Sequence, residues 1–236
     1  MVWTDVPAEI EDDFNAWYNR EHLPDRILRM PGFLRGRRYV ALNATAGAPK
    51  YLTYYDLQST AVMQSAAHTS LRKNRTARDR FFVPQFRNTI KGICDVVCRA
   101  GLSDGAYLVL LPLTAVTGRE QAFAHGVCDD VLPALAKTRG VASAEFALCN
   151  AEITAASSAK DDRAGDRYLS GLLAVEAVSV AGAAAAVQCL SGGKLNALGG
   201  QPDLITAPCV LRLTYELPAP RGGSEADGCS LLPPTA

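Results

Sequence analysis

An α+β fold laid down twice along one chain is what this sequence predicts, and three observations carry the prediction. The order strand-helix-strand-strand-helix-strand can be read over residues 1–101 and again over residues 105–216. Short stretches recur at matching places: Leu23-Pro24 before Gly32 is echoed by Leu132-Pro133 before Gly140, and Tyr51-Leu52-Thr53 by Tyr168-Leu169-Ser170. The overall balance, 236 residues with 48% apolar and 20% charged side chains, is that of a chain able to bury a real core.

The first unit opens with a short strand over 2–6. Asp12 and Asp13 suit a helix N-terminus, where aligned peptide dipoles favour negative charge, and Phe14, Trp17, Tyr18 and Glu21 recur at helical spacing. That predicts a helix over 7–28, with Pro24 limiting its run and Pro31-Gly32 turning the chain. Strands are predicted over 33–43 and 50–56, joined by the turn at 44–49; helical spacing returns over 60–88, and 92–99 is the fourth strand. In the second unit the strands are 106–112, 142–149, 168–175 and 206–216. Helices are predicted over 118–138 and over the Ala-rich 180–190, and a long polar loop fills 150–167. Residues 217–236, rich in Pro, Gly and Ser, are predicted to be a disordered tail.

Lys plus Arg and Asp plus Glu are equal at 24 each, which removes any general electrostatic case for a nucleic-acid or membrane-surface partner. No apolar run approaches the roughly 20 residues of a membrane span, and no basic-then-apolar leader opens the chain, so the expected compartment is the cytoplasm. Arginines nevertheless crowd two places, around the Pro-Gly turn (Arg20, Arg26, Arg29, Arg35, Arg37, Arg38) and along 72–80. These are either solvated faces or the lining for an anionic ligand. The seven cysteines are scattered through apolar stretches and are expected to be mostly buried small hydrophobes. Cys94 and Cys98 should share one strand face about 13 Å apart, too far for a common zinc ion. No His-x-x-x-His pair, Gly-x-Gly-x-x-Gly or Walker loop occurs, so no metal and no cofactor is expected, haem through a lone histidine being the alternative left open.

His22 is the leading candidate for acid–base work, because imidazole titrates nearest neutral pH. Tyr18, four residues earlier, should share its helix face, while Glu21 should line up with Trp17. The alternative for His22 is a helix-end cap on a backbone carbonyl. His68 could meet His22 across a cleft or lie on a polar helix flank; His125 is expected at the surface or in the core. Strand alternation sends Tyr51 and Tyr55 to one face and Tyr54 to the other; Arg35, Arg37 and Tyr39 share a face, with Arg38 opposite. A buried arginine there demands a carboxylate such as Asp56 or an anionic ligand. The candidate catalytic set is thus His22, Tyr18 and His68, and the candidate substrate-binding set is Trp17, Glu21, Arg26, Arg37, Tyr39, Tyr51 and Tyr54.

The run Asp13-Phe-Asn-Ala-Trp-Tyr-Asn-Arg-Glu-His-Leu-Pro, followed by Pro31-Gly-Phe-Leu-Arg-Gly-Arg-Arg-Tyr, resembles the dimeric α/β-barrel superfamily in the neighbourhood of its EthD-like members. The resemblance covers about 45 residues and implies ferredoxin-like βαββαβ units. In a duplicated chain, their antiparallel sheets would pack face to face as an intrachain barrel, making the protein a monomer by duplication or a homodimer. The superfamily includes cofactor-free monooxygenases, muconolactone-type isomerases, polyketide cyclases, haem proteins and non-catalytic members. The second half departs from the pattern: Val131 stands for His22, Asp130 for Glu21, and no aromatic pair appears at Gly126 and Val127. One working site in the N-terminal unit is therefore expected, with the C-terminal cleft collapsed.

The resemblance and the polar helix end together favour a cofactor-independent isomerase or lyase of the cyclase type. It would move a proton on a small cyclic or aromatic carbonyl or carboxylate compound. Two alternatives stand beside it: a cofactor-free monooxygenase on a phenolic substrate, and a non-catalytic small-molecule-binding or stress-type module.

Overall fold

Proline decides the shape of the first helix. In the computed structural model, which describes residues 1–43, 45–158, 163 and 165–220, strand β1 (Val2–Asp5) leads through a 3-10 turn at Ala8–Ile10 into α1 (Glu11–Trp17). The helix then widens into a π-helical segment, Tyr18–His22, and resumes as α2 (Leu23–Ile27). Pro24 has no N–H to donate, and in a regular α-turn its ring would collide with the carbonyl four residues back; the wider turn relieves both problems. Residues five apart now share a face. His22 therefore lies against Trp17, ring centroids 4.4 Å apart, while Glu21, predicted to line up with Trp17, instead pairs with Arg78 at 2.7 Å at the surface. The same device recurs later, where a second π segment also runs directly into Leu-Pro.

Strands β2 (Phe33–Ala41) and β3 (Tyr51–Leu57) pair antiparallel. The single helix expected over 60–88 is instead a series of short pieces: 3-10 turns at Thr60–Gln64 and Val83–Gln85 flank α3 (Ala66–Lys73) and α4 (Ala77–Phe82). Ser65 and Thr76 restart the chain as N-caps, their side-chain oxygens accepting from the amides of His68 and Asp79. The strand expected over 92–99 is β5 (Cys94–Gly101) on β7, and it is preceded by a strand that was not expected, β4 (Arg87–Lys91) on β1, which begins inside the stretch read as helical. The chain changes partner at Gly92, where even a Cβ would press on Leu169 at 3.0 Å.

β6 (Tyr107–Ala115), α5 (Glu120–Gly126), the second π segment (Val127–Val131), α6 (Leu132–Ala136) and β7 (Val141–Cys149) follow. The predicted loop 150–167 contains a helix, α7 (Ala151–Ser158), started by Asn150, whose side-chain carbonyl accepts from the Ile153 amide. Part of that loop, 159–162 and 164, lies outside the described residues. Tyr168 belongs to the two-residue β8 (Arg167–Tyr168), parallel to β4, and not to the strand predicted over 168–175, which begins as β9 (Gly171–Ala177). The chain continues as α8 (Val180–Ser191), α9 (Lys194–Leu198), β10 (Gly200–Pro202) and β11 (Cys209–Pro218). β11 absorbs residues 217 and 218 of the predicted tail, and the Ala219 amide still bonds to Leu34; residues 221–236 lie outside the described part.

All strands join one large, mostly antiparallel sheet of eleven, ordered β5-β7-β9-β6-β11-β2-β3-β1-β4-β8 with β10 on β6. Two sheets were expected. They are continuous because β11 pairs with β2 from Leu211↔Ala41 to Pro218↔Arg35. Within the order, β2-β3-β1-β4 and β7-β9-β6-β11 are runs of neighbours. Helices α1 and α2 cover one face over a core of Phe14, Trp17, Tyr18, Ile27 and Phe82; α5, α6 and α8 cover another over Phe123, Leu132, Phe146 and Ala186. Among the described residues no helix is long and apolar enough to cross a membrane.

Cysteine placement departs from expectation in two ways. A bulge between Val96 and Cys98 reverses the alternation of β5, so Cys94 and Cys98 occupy opposite faces. Cys98 is also disulfide-bonded to Cys128 of the second π segment, and so is not one of the small buried hydrophobes.

Two β2 residues hold the π segment in place. Gly36 lies under α2, where a Cβ would come within 2.6 Å of Leu23. Arg38, 2% exposed, donates to Asn15 Oδ1 at 2.9 Å and Asn19 Oδ1 at 2.7 Å, with its guanidinium 4.3 Å from the Tyr18 ring centre. Replacing Gly36 by Val should overpack this contact and lower stability by about 1–3 kcal/mol. Chemical denaturation will measure it; unchanged stability would mean that α2 does not rest on this glycine.

Candidate active site

The widened helix end delivers Tyr18, His22 and, one turn on, Arg26 to the wall of a cavity of about 570 Å³. Phe33 of β2 and Tyr54 and Tyr55 of β3 add aromatic surface, and His68 of α3 adds a second imidazole. Both predicted histidines therefore border one space. The walls are not confined to the N-terminal half: Glu145 and Ala147 of β7, Thr154 of α7 and Leu172 of β9 complete them. The expectation of a site within residues 1–101 alone is corrected accordingly, since β5 and β4 carry the C-terminal strands around to this side.

His22 is 6% exposed, and its Nδ1 lies 2.9 Å from Asp79 Oδ1. Burial followed by the nearby Arg26 charge lowers the His22 pKa to about 3, outweighing the opposite pull of Asp79. Burial alone would raise the pKa of Asp79, but the His22 hydrogen bond and charge bring it down to about 2. At neutral pH Asp79 is thus a carboxylate and can only accept, so Nδ1–H of a neutral His22 is the donor. The lone pair falls on Nε2. Asp79 is itself fixed in a capping box, its carboxylate accepting from the Thr76 amide at 3.3 Å. His22 therefore does not cap the helix end as the alternative reading had it. Arg26 donates to the His22 carbonyl at 2.8 Å, inside the helical run where the π segment passes into α2.

The other histidines resolve differently. His68 is buried, not on a polar flank; its Nδ1 donates to the Met63 carbonyl at 2.8 Å and its ring stacks near Phe33. His125 is exposed.

Of the remaining predicted binding residues, Tyr54 reaches the cavity and donates to Glu145 at 2.6 Å. Trp17 and Tyr51 do not; they are core residues packed around Phe14. Arg37 and Tyr39 do not line the cavity; on the same sheet face as Tyr54, they enter a buried cluster where both donate to Glu176, and Arg37 also meets Asp56 at 3.3 Å. Arg37 thus has protein carboxylates as partners. Arg38, on the opposite face, breaks the rule that a buried arginine needs an anion: aromatic faces and asparagine carbonyls surround it.

Sequence reading missed Asp79, and it missed the cationic character of the lining. Among the described residues six cationic side chains, Arg26, Arg72, Arg75, Lys91, Arg99 and Arg163, border the cavity with three carboxylates, Asp56, Asp95 and Glu145; Lys91 and Arg163 are further paired with Asp166, and Arg99 with Asp104. The arginine crowding around 72–80 was the visible part of that wall. The C-terminal cleft is not collapsed: a separate cavity of about 230 Å³ remains there, lined by Leu111, Leu113, Phe123 and Leu190 and without a histidine. No group of three or more His, Cys, Asp or Glu side chains among the described residues is placed to hold a metal ion.

No protein-family model matches the sequence, and no curated protein does. Solved structures do resemble the fold. An "anthrone oxidase-like protein" matches with TM-score 0.59 at 11% identity over 95% of this chain and 94% of that one. A "putative monooxygenase" from Lactobacillus acidophilus matches with TM-score 0.51 at 9% identity over 90% of each chain, and another from Fusobacterium nucleatum with TM-score 0.54 at 11% identity over 92% of each. At these identities the likeness shows a shared fold, and none of the three is named as EthD-like.

The same names overturn the isomerase or lyase reading, for they point to oxidases and monooxygenases.

His22 also makes stability pH-dependent. In the unfolded chain it takes its proton near pH 6.5, in the folded protein only near 3, so its contribution is full above 6.5 and is lost as the pH falls. The thermal midpoint should drop between pH 6.5 and 4.5, and His22→Asn should make that drop shallower. Parallel melting series will test this; identical slopes for the two proteins would exclude a neutral buried His22.

Proposed function

We propose that the chain consists of two ferredoxin-like βαββαβ units, residues 1–101 and 105–216, fused in an α/β-barrel-type assembly, and that its large cavity oxidises an electron-rich phenol with dioxygen, as a cofactor-free monooxygenase. The repeated strand order supports the first statement: with β5 and the short β8 and β10 set aside, β2-β3-β1-β4 and β7-β9-β6-β11 each place the second, third, first and fourth strands of a half side by side. The observation that carries the second is the His22–Asp79 pair at the wall of an aromatic, cationic cavity.

A phenol is a far stronger acid than a carbon acid, with a pKa near 10 in water. Bound with its hydroxyl on His22 Nε2, it can pass its proton to the imidazole while Asp79 holds Nδ1–H and stabilises the imidazolium that forms. The phenolate that appears beside His22 raises its basicity as the proton moves, while the Arg26 charge, which lowers the His22 pKa, acts on the other partner by favouring the phenolate. Phe33, Tyr54 and Tyr55 offer flat surfaces for ring stacking.

The bound phenolate then gives one electron to dioxygen. Superoxide and the phenoxyl radical combine at a ring carbon to form a hydroperoxide, and loss of water leaves a carbonyl there. One methylene-type carbon and one dioxygen enter; one carbonyl and one water leave. The substrate supplies all the electrons. A tricyclic phenol of the anthrone type, the class named for one structural neighbour, meets these requirements.

Oxygen uptake with a panel of anthrone-type and simpler phenols should show turnover that stops under argon. His22→Gln should reduce the rate by about 10² or more and Asp79→Asn by a smaller factor. Turnover undiminished under argon, or wild-type rates in His22→Gln, would refute this reading.

A further inference from the structure

Strands β5 and β7 place Cys94 directly opposite Cys149. The Asn150 amide donates to the Ile93 carbonyl at 2.8 Å, and that bond between the flanking residues marks the cysteines as a non-hydrogen-bonded cross-strand pair. In such pairs the Cα atoms stand about 4.5 Å apart and the side chains are at their closest, a spacing within the range that disulfides accept. Neither residue is bridged. Both are half-buried free thiols, and Cys94 borders the large cavity.

The surroundings favour a thiolate on one of them. Cys149 Sγ lies 3.2 Å from the Thr154 hydroxyl, which is buried and accepts from the Ile93 amide. The hydrogen bond from Cys94 lowers the Cys149 pKa to about 6, and that same bond together with burial raises Cys94. The other free cysteines among the described residues lack this arrangement. Cys209 is buried with its pKa pushed up to about 11, and Cys189 is exposed.

We propose that Cys94 and Cys149 are a redox-active dithiol, oxidised to a disulfide by hydroperoxides that reach it through the adjoining cavity. The Cys149 thiolate attacks the terminal peroxide oxygen and the O–O bond breaks. Cys149 becomes a sulfenic acid, and the alkoxide, or hydroxide from hydrogen peroxide, leaves as the protonated alcohol or water. The Cys94 thiol then attacks the sulfenic sulfur, a disulfide forms, and water departs. In sum, two thiols and one hydroperoxide become one disulfide, one alcohol and one water. The inference holds whether or not the cavity is an oxygenase site.

The test uses hydrogen peroxide on the full chain, previously reduced under conditions that leave Cys98–Cys128 intact. After one equivalent, the free thiols are alkylated without reductant and the peptides mapped by mass spectrometry. A Cys94–Cys149 cross-link, reversed by dithiothreitol, with Cys189 and Cys209 still alkylated, is the expected result. In Cys94→Ser, dimedone should trap a sulfenic acid on Cys149; in Cys149→Ser, peroxide consumption should slow by about tenfold or more. The proposal fails if both thiols stay alkylatable after peroxide, if Cys149 goes to the sulfinic acid with no cross-link, or if Cys149→Ser consumes peroxide as fast as the parent. Mapping of the unmutated protein decides the matter even if a serine variant does not fold.

Discussion

A guanidinium without an anion sets the geometry on which the cavity depends. Arg38 sits between β2 and the first helix, where Phe14, Tyr18 and Tyr51 present their rings and Asn15 and Asn19 their carbonyl oxygens. A carboxylate would pin one atom. The aromatic and amide cage holds a whole helical turn, because its members come from α1, the π segment and β3. Burying the charge is costly, and each of these contacts must be kept for the cost to be met. The π segment is thereby fixed in rotation as well as in height, and that rotation decides that His22, not Glu21, turns inward.

Much of the fold could be read from the sequence, and the readable parts share one property. β2, β3, β7 and β11 are long enough and bounded clearly enough by turns for pattern to specify a strand, and the stretches between their bulges keep the predicted faces: Tyr51 and Tyr55 do lie opposite Tyr54, and Arg38 opposite Arg37. Where reading went astray, a single residue had changed the period. Pro24 and Pro133 turn α into π and shift which side chains meet. The bulge before Cys98 reverses a strand, and at Gly92 the chain leaves β4, which was not expected, for β5. A regular period cannot register such one-residue insertions, although a proline behind a helical run marks where to look for them.

The site was half legible for a different reason. His22, Tyr18, Arg26 and His68 stood out by residue type and by nearness to one another in the chain. Asp79 could not, because it lies 57 residues from the histidine it orients and reads as an ordinary N-terminal helix acid. Trp17 and Tyr51 were mistaken for ligand contacts because a large aromatic has the same appearance in sequence whether it lines a hole or fills one. The wall contributed by β7 and α7 depends on strands that meet only in three dimensions, so no local pattern announces it.

The seam between β2 and β11 has a consequence for synthesis on the ribosome. β2 emerges early with β3 on one side and nothing on the other, and its permanent neighbour is made only after the whole intervening chain, including β5 to β10, has been translated. During that interval the N-terminal half shows an unfilled row of amides and carbonyls, the kind of edge that recruits stray strands. Its charged outer residues, Arg35 and Arg37, still lack Asp104 and Glu176, which arrive with the later segment. Like-charge repulsion between two such unfinished chains would keep their edges apart, so the arginines that later lock the seam also serve as its guard while it is open.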